Sequence, residues 1–443
     1  MLLTIVSVAQ HGHARGSDEG ILLDDEIENF LKEIINEITG ALGFKQKITV
    51  YVLNSQSLNA AATEDGCIII NAGAILQCAD ARELIAIIAH EVGHIDGRHI
   101  ITLHAHMAEA SAAGLVTMLV GAAVAAVAGN SAPLLAGILG GQTAATKMAL
   151  SKLRQKEGIA DTRAAQAMKK LRWPIFSSFI SLHEKLDKGG VYDLYMSTHP
   201  APAERKSKYA MWLVEQAKWT VPQQVYAQLN RYQLTFERIR AKVAALTQTT
   251  EHVLAITVKQ RDANERYAKA IALYRDCKYQ EACAIIDGLL AEAAANGVDP
   301  AYYIEIKAMC LIRLKQCRTV AEICWPILKK DGGKRIHRDL GVIYADAVVE
   351  AALREHIQNA INVLKKIKLH QRGFIYIFHI LGELYTLNGQ SDEASLCAAE
   401  VSLACGDYKL ALLHAKKAQP SRRTATRACD IIAEAERLEK QET

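Results

Sequence analysis

Apolar positions recur along this chain in two periods, and the switches between them mark out its first elements. Ile27, Phe30, Leu31, Ile34, Ile35 and Ile38 fall at the three-and-four spacing of an amphipathic helix, which predicts a helix over 26–39 ending near Gly40. Lys47 to Leu53 alternates and is β-branched, so it reads as a strand. A second strand, Cys67–Asn71 (CIIIN), follows the turn-like ThrGluAspGly at 63–66. The stretch 82–108, RELIAIIAHEVGHIDGRHIITLHAHMA, has no proline, and Leu84, Ile85, Ile87, Ile88 and Val92 make it a core helix. Gly93, at a helical cost of about 1 kcal/mol against alanine, is read here as leaving open space on that helix.

Between 110 and 146 no residue is charged, and Ala112–Gly129 is 18 residues of almost wholly apolar sequence, the lower length limit for a membrane helix. The return arm from Pro133 to Lys147 is only about a dozen residues, a rise of about 18 Å against a hydrocarbon core of about 30 Å. The stretch is therefore expected to form a helical hairpin that covers a cleft or dips into a membrane surface; a membrane-spanning pair is the alternative. A helix is expected from Ser151 to Arg172, and a proline-punctuated loop over Met196–Arg205 (MSTHPAPAER).

After 247–251 the pattern becomes one of paired helices that continues to about residue 420. Ala282, Ala321, Ala360 and Ala394 recur at separations of 39, 39 and 34 residues. A period near 34 with a small residue at the helix crossing marks tetratricopeptide-like repeats, whose concave groove takes peptides or protein partners; an irregular helical domain is the alternative. The expected fold is α+β, mainly α: a leader-like segment or tail at 1–20, a domain with a small sheet at 21–246, and an all-α solenoid at 247–443.

Composition narrows the function. With half its 443 residues apolar, 23% charged and a net charge of +4, the chain is globular, and nucleic acid is not an expected partner. Leu2–Ala9 is a short apolar run before small and polar residues, like a truncated export signal without its positive start; a disordered tag or a first strand is the alternative. Ten cysteines include Cys310, Cys317 and Cys324 at seven-residue spacing, and none lies in a CxxC pair. Most are expected to be small buried side chains; the even count permits disulfides.

The chemistry lies at His90-Glu91-Val92-Gly93-His94. Residues four apart on a helix share a face, so His90 and His94 can reach one zinc ion, and Glu91 can act as general base on the attacking water. A catalytic zinc usually takes a third protein ligand, and Glu157 on the later helix supplies a carboxylate, with Asp161 four residues on to brace an imidazole. His199 could hydrogen-bond or ligate near the metal, and Arg205 could stabilise an oxyanion, though both also suit an ordinary surface loop.

These residues in this order resemble the HtpX-like zinc metallopeptidases, HExxH enzymes of the gluzincin type, and within them the exported BepA-like branch with C-terminal tetratricopeptide repeats. The likeness runs through SerLeuAsnAla at 57–60, the strand GlyCysIleIleIleAsnAlaGly at 66–73, HisGluValGlyHis at 90–94, GluGlyIleAlaAsp at 157–161 and ThrHisPro with Arg205 at 198–205. It implies one zinc ion per chain on His90, His94 and Glu157, with Glu91 as base and Asp161 as second acid. It further implies His199 as a restraining residue near the metal and Arg205 as a substrate-facing arginine. Cys67, Ile68, Ile69, Ile70 and Asn71 would form an edge strand that takes substrate backbone by β-augmentation. The implied work is proteolysis of misfolded or misassembled envelope proteins in the periplasm of a Gram-negative bacterium. Help to outer-membrane protein assembly, through the repeats, goes with it. A chaperone with a latent zinc site and an integral-membrane protease are the alternatives.

Overall fold

Asp24 opens the first helix of the computed structural model: its carboxylate accepts from the Ile27 N–H at 3.0 Å, and Asp25, Glu26 and Glu28 place negative charge in the first turn. The structure describes residues 20–63, 66–96, 144–188, 203–259, 262–295, 297–330, 337–367 and 374–442. The leader-like segment up to residue 19, the apolar stretch as far as residue 143, and His199 lie outside them. Among the described residues no helix is long and apolar enough to cross a membrane. The chain divides into two compact units between Thr249 and Thr250.

In the first unit, strand β1 (Ile21–Leu22) leads into helix α1 (Asp25–Leu42). This helix ends at Gly43 in the left-handed conformation (φ 74°), where the Phe44 N–H reaches back to Thr39 O, and not at Gly40, which is helical and exposed. Only the glycine that must take positive φ stops a helix. Strands β2 (Thr49–Leu53), β3 (Ala60–Ala62) and β4 (Cys67–Asn71) complete a sheet of order β1-β2-β4-β3. Val50, Val52, Ile68 and Ile70 point to its buried face.

That order corrects one expectation. β4 is internal: it pairs in parallel with β2 along its whole length and antiparallel with β3 through Ile68, Ile69 and Ile70. Its backbone groups are taken up by two neighbours, so residues 67–71 cannot receive a substrate strand. The edge on that side belongs to β3, three alanines with no β-branched signal.

Helices α2 (Ala72–Gln77) and α3 (Ala81–Asp96) follow, then α4 (Ala144–Leu171), α5 (Phe176–Lys188), α6 (Ala203–Gln216) and α7 (Gln223–Thr247). α3 is buried along most of its length and carries the HExxH residues. Its start is capped twice: Asp80 accepts from the Glu83 N–H, and Glu83 accepts from the Ala79 N–H. α7 adds to this cap from a distance of 152 residues, because Gln233 Oε1 accepts from the Ala81 N–H at 2.9 Å. Arg240 on α7 donates to the Cys78 and Ala79 carbonyls. A buried ion cluster ties the same helix to α1. Lys242, 1% exposed, meets Asp24 at 2.6 Å and Glu26 at 3.2 Å, and Arg238 meets Glu26 at 2.5 Å.

Among its described residues the second unit is all helical: α8 (Thr250–Ile256), α9 (Ala263–Arg275), α10 (Tyr279–Glu292), α11 (Pro300–Arg313), α12 (Cys317–Lys330), α13 (Arg338–Glu350), α14 (Arg354–Lys366), α15 (Phe374–Leu387), α16 (Ser391–Ala404), α17 (Tyr408–Ala418) and α18 (Ala425–Glu442). One turn recurs in it. Cys277, Lys315, Ala352, Gly389 and Gly406 each sit at positive φ in a three-residue connection. In each the next N–H bonds back five residues, as from Leu353 to Val348 O at 3.0 Å. The first four recur at 38, 37 and 37 residues, so the helix pairs repeat with a longer period than 34. Ala282, Ala321 and Ala360 are fully buried on the second helix of their pairs. Of the ten cysteines, all free, five are buried and three exposed.

Ala352 holds a left-handed backbone (φ 47°) that costs a side chain about 1 kcal/mol or more and glycine nothing. Ala352→Gly is therefore expected to stabilise the second unit by about 1 kcal/mol. Urea denaturation followed by Trp325 emission checks this, and a loss of stability would contradict it.

Candidate metal centre and its comparison with known proteins

Helix period puts His90 and His94 on one face of α3, and close packing brings α4 against that face. The contact point is Gly93. A Cβ built there would overlap the Ala160 carbonyl oxygen and lie 3.0 Å from the Ala160 carbonyl carbon and Cα. This corrects the expectation of open space: the room beside Gly93 is filled by the backbone of α4. Ala160 lies between Glu157 and Asp161, so the missing side chain is what lets both carboxylates reach the histidines.

Three ligand atoms converge. His94 Nε2 is 3.0 Å from His90 Nε2. The Glu157 carboxylate lies 3.2 Å from His90 Nε2 and 3.3 Å from His94 Nε2. Metal–ligand bonds of about 2.0–2.1 Å in a tetrahedron place ligand atoms about 3.3 Å apart, so this triangle is one face of such a site. Among the described residues it is the one grouping of three or more metal-ligating side chains found. Two imidazoles and one carboxylate suit zinc and leave a fourth position for water. Glu91, next to the first ligand, is fully buried.

A second layer fixes the ligands. His90 Nδ1 donates to Asp161 Oδ1 at 2.9 Å, which leaves its Nε2 lone pair for the metal. Arg205 clamps the same carboxylate through Nε (2.7 Å) and Nη2 (2.8 Å), and its Nη1 meets Glu157 Oε2 at 3.0 Å. Arg205 is 3% exposed and its guanidinium nitrogens are engaged by carboxylates. It therefore braces the third ligand, and the expected substrate-facing role does not match its position.

Sequence reasoning missed two members of this layer. Tyr209, one turn after Arg205 on α6, donates to Asp161 Oδ1 at 2.5 Å. Its oxygen accepts from Arg205 at 3.2 Å and from His183 Nε2 at 3.3 Å. The only signal was the four-residue spacing of Arg205 and Tyr209; His183 on α5 had none.

The charges follow from these contacts. Burial opposes a charged His90, but its hydrogen bonds to Asp161 and Glu157 outweigh burial and push it up to about 10; metal binding competes with that proton. Burial holds His94 below the ordinary imidazole range. Burial alone would raise Asp161, yet the hydrogen bond from His90 and the charge of Arg205 hold it well below the carboxylate range.

His183 is pushed down from 6.5 to about 3, by burial first and then by the charge of Arg205. Between those values the unfolded chain takes up a proton that the folded chain refuses, so stability falls as pH drops from 6.5 towards 3. His183→Gln removes this share. The variant is expected to lose about 2 kcal/mol less than wild type between pH 6.5 and pH 5. Urea midpoints read from Trp173, Trp212 and Trp219 measure the difference; equal slopes would reject it.

Residues 26–212 match the model of peptidase family M48. No curated protein matches the chain. The match spans α1 through most of α6 and takes in all three ligands, Glu91, Asp161, Arg205 and Tyr209. The geometry and the match agree: residues 26–212 fit the M48 peptidase pattern around His90, His94 and Glu157, and the chain is a zinc metallopeptidase, a hydrolase of peptide bonds.

Proposed function

We propose that the chain is an endopeptidase that degrades misfolded or misassembled envelope proteins in the periplasm of a Gram-negative bacterium, with the helical unit selecting clients. The observation that carries the hydrolytic part is the triangle of His90, His94 and Glu157 with Glu91 one residue along α3. Zinc held there would acidify water and polarise the scissile carbonyl. Glu91 takes the proton from the attacking water and delivers it to the leaving amine. Asp161, Arg205 and Tyr209 hold His90 and Glu157 in place through the bonds described above. An extended substrate adds to the outer edge of β3, which packs against α3.

The recurring turn and the buried alanines support a tetratricopeptide-like stack that grips unfolded segments and contacts the outer-membrane assembly machinery. The leader-like start supports export. A second reading, a chaperone whose zinc site is normally latent, draws on the burial of the site: His90 and Glu157 are each 2% exposed.

Metal analysis with casein cleavage tests the proposal. Wild type is expected to hold one zinc per chain and to lose cleavage to a chelator; Glu157→Ala should lose both metal and activity. Wild type that binds zinc and suppresses aggregation, but cuts no unfolded substrate, would favour the chaperone. Fractionation of cells making the full chain tests export, and confinement to the cytoplasm would reject it.

A further inference from the structure

Cys283 on α10 and Cys310 on α11 face each other across two consecutive packed helices. Asp287 lies one turn after Cys283, and Lys307 one turn before Cys310. The short connection between the packed helices makes them run antiparallel, and Lys307 Nζ meets Asp287 Oδ1 at 2.5 Å, which opposes these two faces. One turn along, the same register sets Cys283 opposite Cys310. Cys310 is fully buried, whereas Cys283 is half-buried.

We propose that Cys283 and Cys310 form a redox pair that closes into a disulfide stapling α10 to α11. Their chemistry is divided as such a pair requires. The hydrogen bond from Cys310 favours a thiolate at Cys283; burial opposes it and the Lys307 ammonium supports it, with a net lowering. Cys310 is raised by the same hydrogen bond and by burial. Cys397, by contrast, is pushed up to about 12, by burial first, the behaviour of an inert packing thiol.

The oxidant is a disulfide, either of a small thiol or of a protein dithiol oxidase. Cys283 Sγ attacks one of its sulfurs, forming a mixed disulfide and expelling the other as a thiolate. Cys310 Sγ gives up its proton and attacks Cys283 Sγ, forming the internal bond and expelling the second thiolate. Two protein thiols are oxidised, one external disulfide is reduced by two electrons, and the two thiol protons end on the released thiols. A low-pKa, reachable cysteine beside a buried resolving one is the arrangement of redox-sensitive sites. The inference does not rest on proteolysis, so its failure would leave the zinc reading untouched.

The test is titration of the reduced full-length chain with oxidised glutathione, followed by alkylation, trypsin and mass spectrometry. Cleavage after Lys278, Lys307 and Arg313 separates 279–307, with Cys283, from 308–313, with Cys310. These two peptides are expected to be linked once the exposed Cys277, Cys405 and Cys429 carry glutathione. Cys310→Ser should trap glutathione on Cys283, and Cys283→Ser should leave Cys310 a free thiol. Iodoacetamide should modify Cys283 at least about tenfold faster than Cys310 in reduced wild type. The proposal is overturned if the peptides stay unlinked while the three exposed cysteines are adducted, or if Cys283 in Cys310→Ser resists glutathione. Should Cys310→Ser fold poorly, the wild-type linkage still decides, and Cys310→Ala repeats the trapping experiment.

Discussion

Glu91→Gln is expected to lower casein cleavage about a thousandfold while the protein keeps its zinc. The amide matches the carboxylate in size, so α3, buried on all sides at this position, need not repack. It cannot accept a proton at working pH, and the attacking water is left without its base. His90, His94 and Glu157 are untouched, so metal content should equal that of wild type. Zinc analysis and initial rates, taken on the same preparation, separate the outcomes. Cleavage at the wild-type rate would remove Glu91 from the mechanism, and loss of zinc would make it a structural residue.

Gly93→Ala should do damage of another kind. An alanine gains about 1 kcal/mol of helix propensity over glycine, so on an isolated helix it would stabilise. Here its Cβ collides with the Ala160 backbone, which cannot swing aside as a side chain can. Overpacking of a tight core costs about 1–3 kcal/mol and sometimes more, and the collision outweighs the gain. We expect a net loss of about 2 kcal/mol. The larger effect is on the metal: α4 must retreat, taking Glu157 away from both imidazoles. Zinc affinity should fall about a hundredfold, as when a supporting partner of a metal ligand is lost. Competition against a chelating dye measures the affinity. Wild-type affinity together with unchanged stability would show that the close approach of α3 and α4 does not depend on Gly93.

What could be read from the chain before its fold was known depended on how locally each feature is encoded. His90, Glu91 and His94 lie within one helical turn, and Glu157 with Asp161 within another, so helix geometry alone placed them on common faces. The helix over 26–39 was legible from its apolar stripe, yet its end was misplaced by three residues, because Gly40 and Gly43 look alike until φ is known. The position of β4 depended on β3, and three alanines carry neither alternation nor β-branching to announce a strand. Gly93 was visible but its purpose was not, since the atoms that fill its space come from Ala160, far along the chain. Tyr209 and His183 belong to no motif, and only the folded chain brings them to Asp161. His199 lies outside the described residues, and its role stays with the sequence.

Helix α7 lies wholly beyond the family match, which ends at residue 212. A protein trimmed to that match would keep every ligand and still lose the Gln233 and Arg240 contacts at the head of the catalytic helix. Glu26 would be stranded in the interior without Lys242 and Arg238, a defect worth about 3–5 kcal/mol when one partner of a buried pair is removed. The smallest fragment expected to keep this unit folded therefore runs to about residue 249, one helix beyond the pattern that matches it.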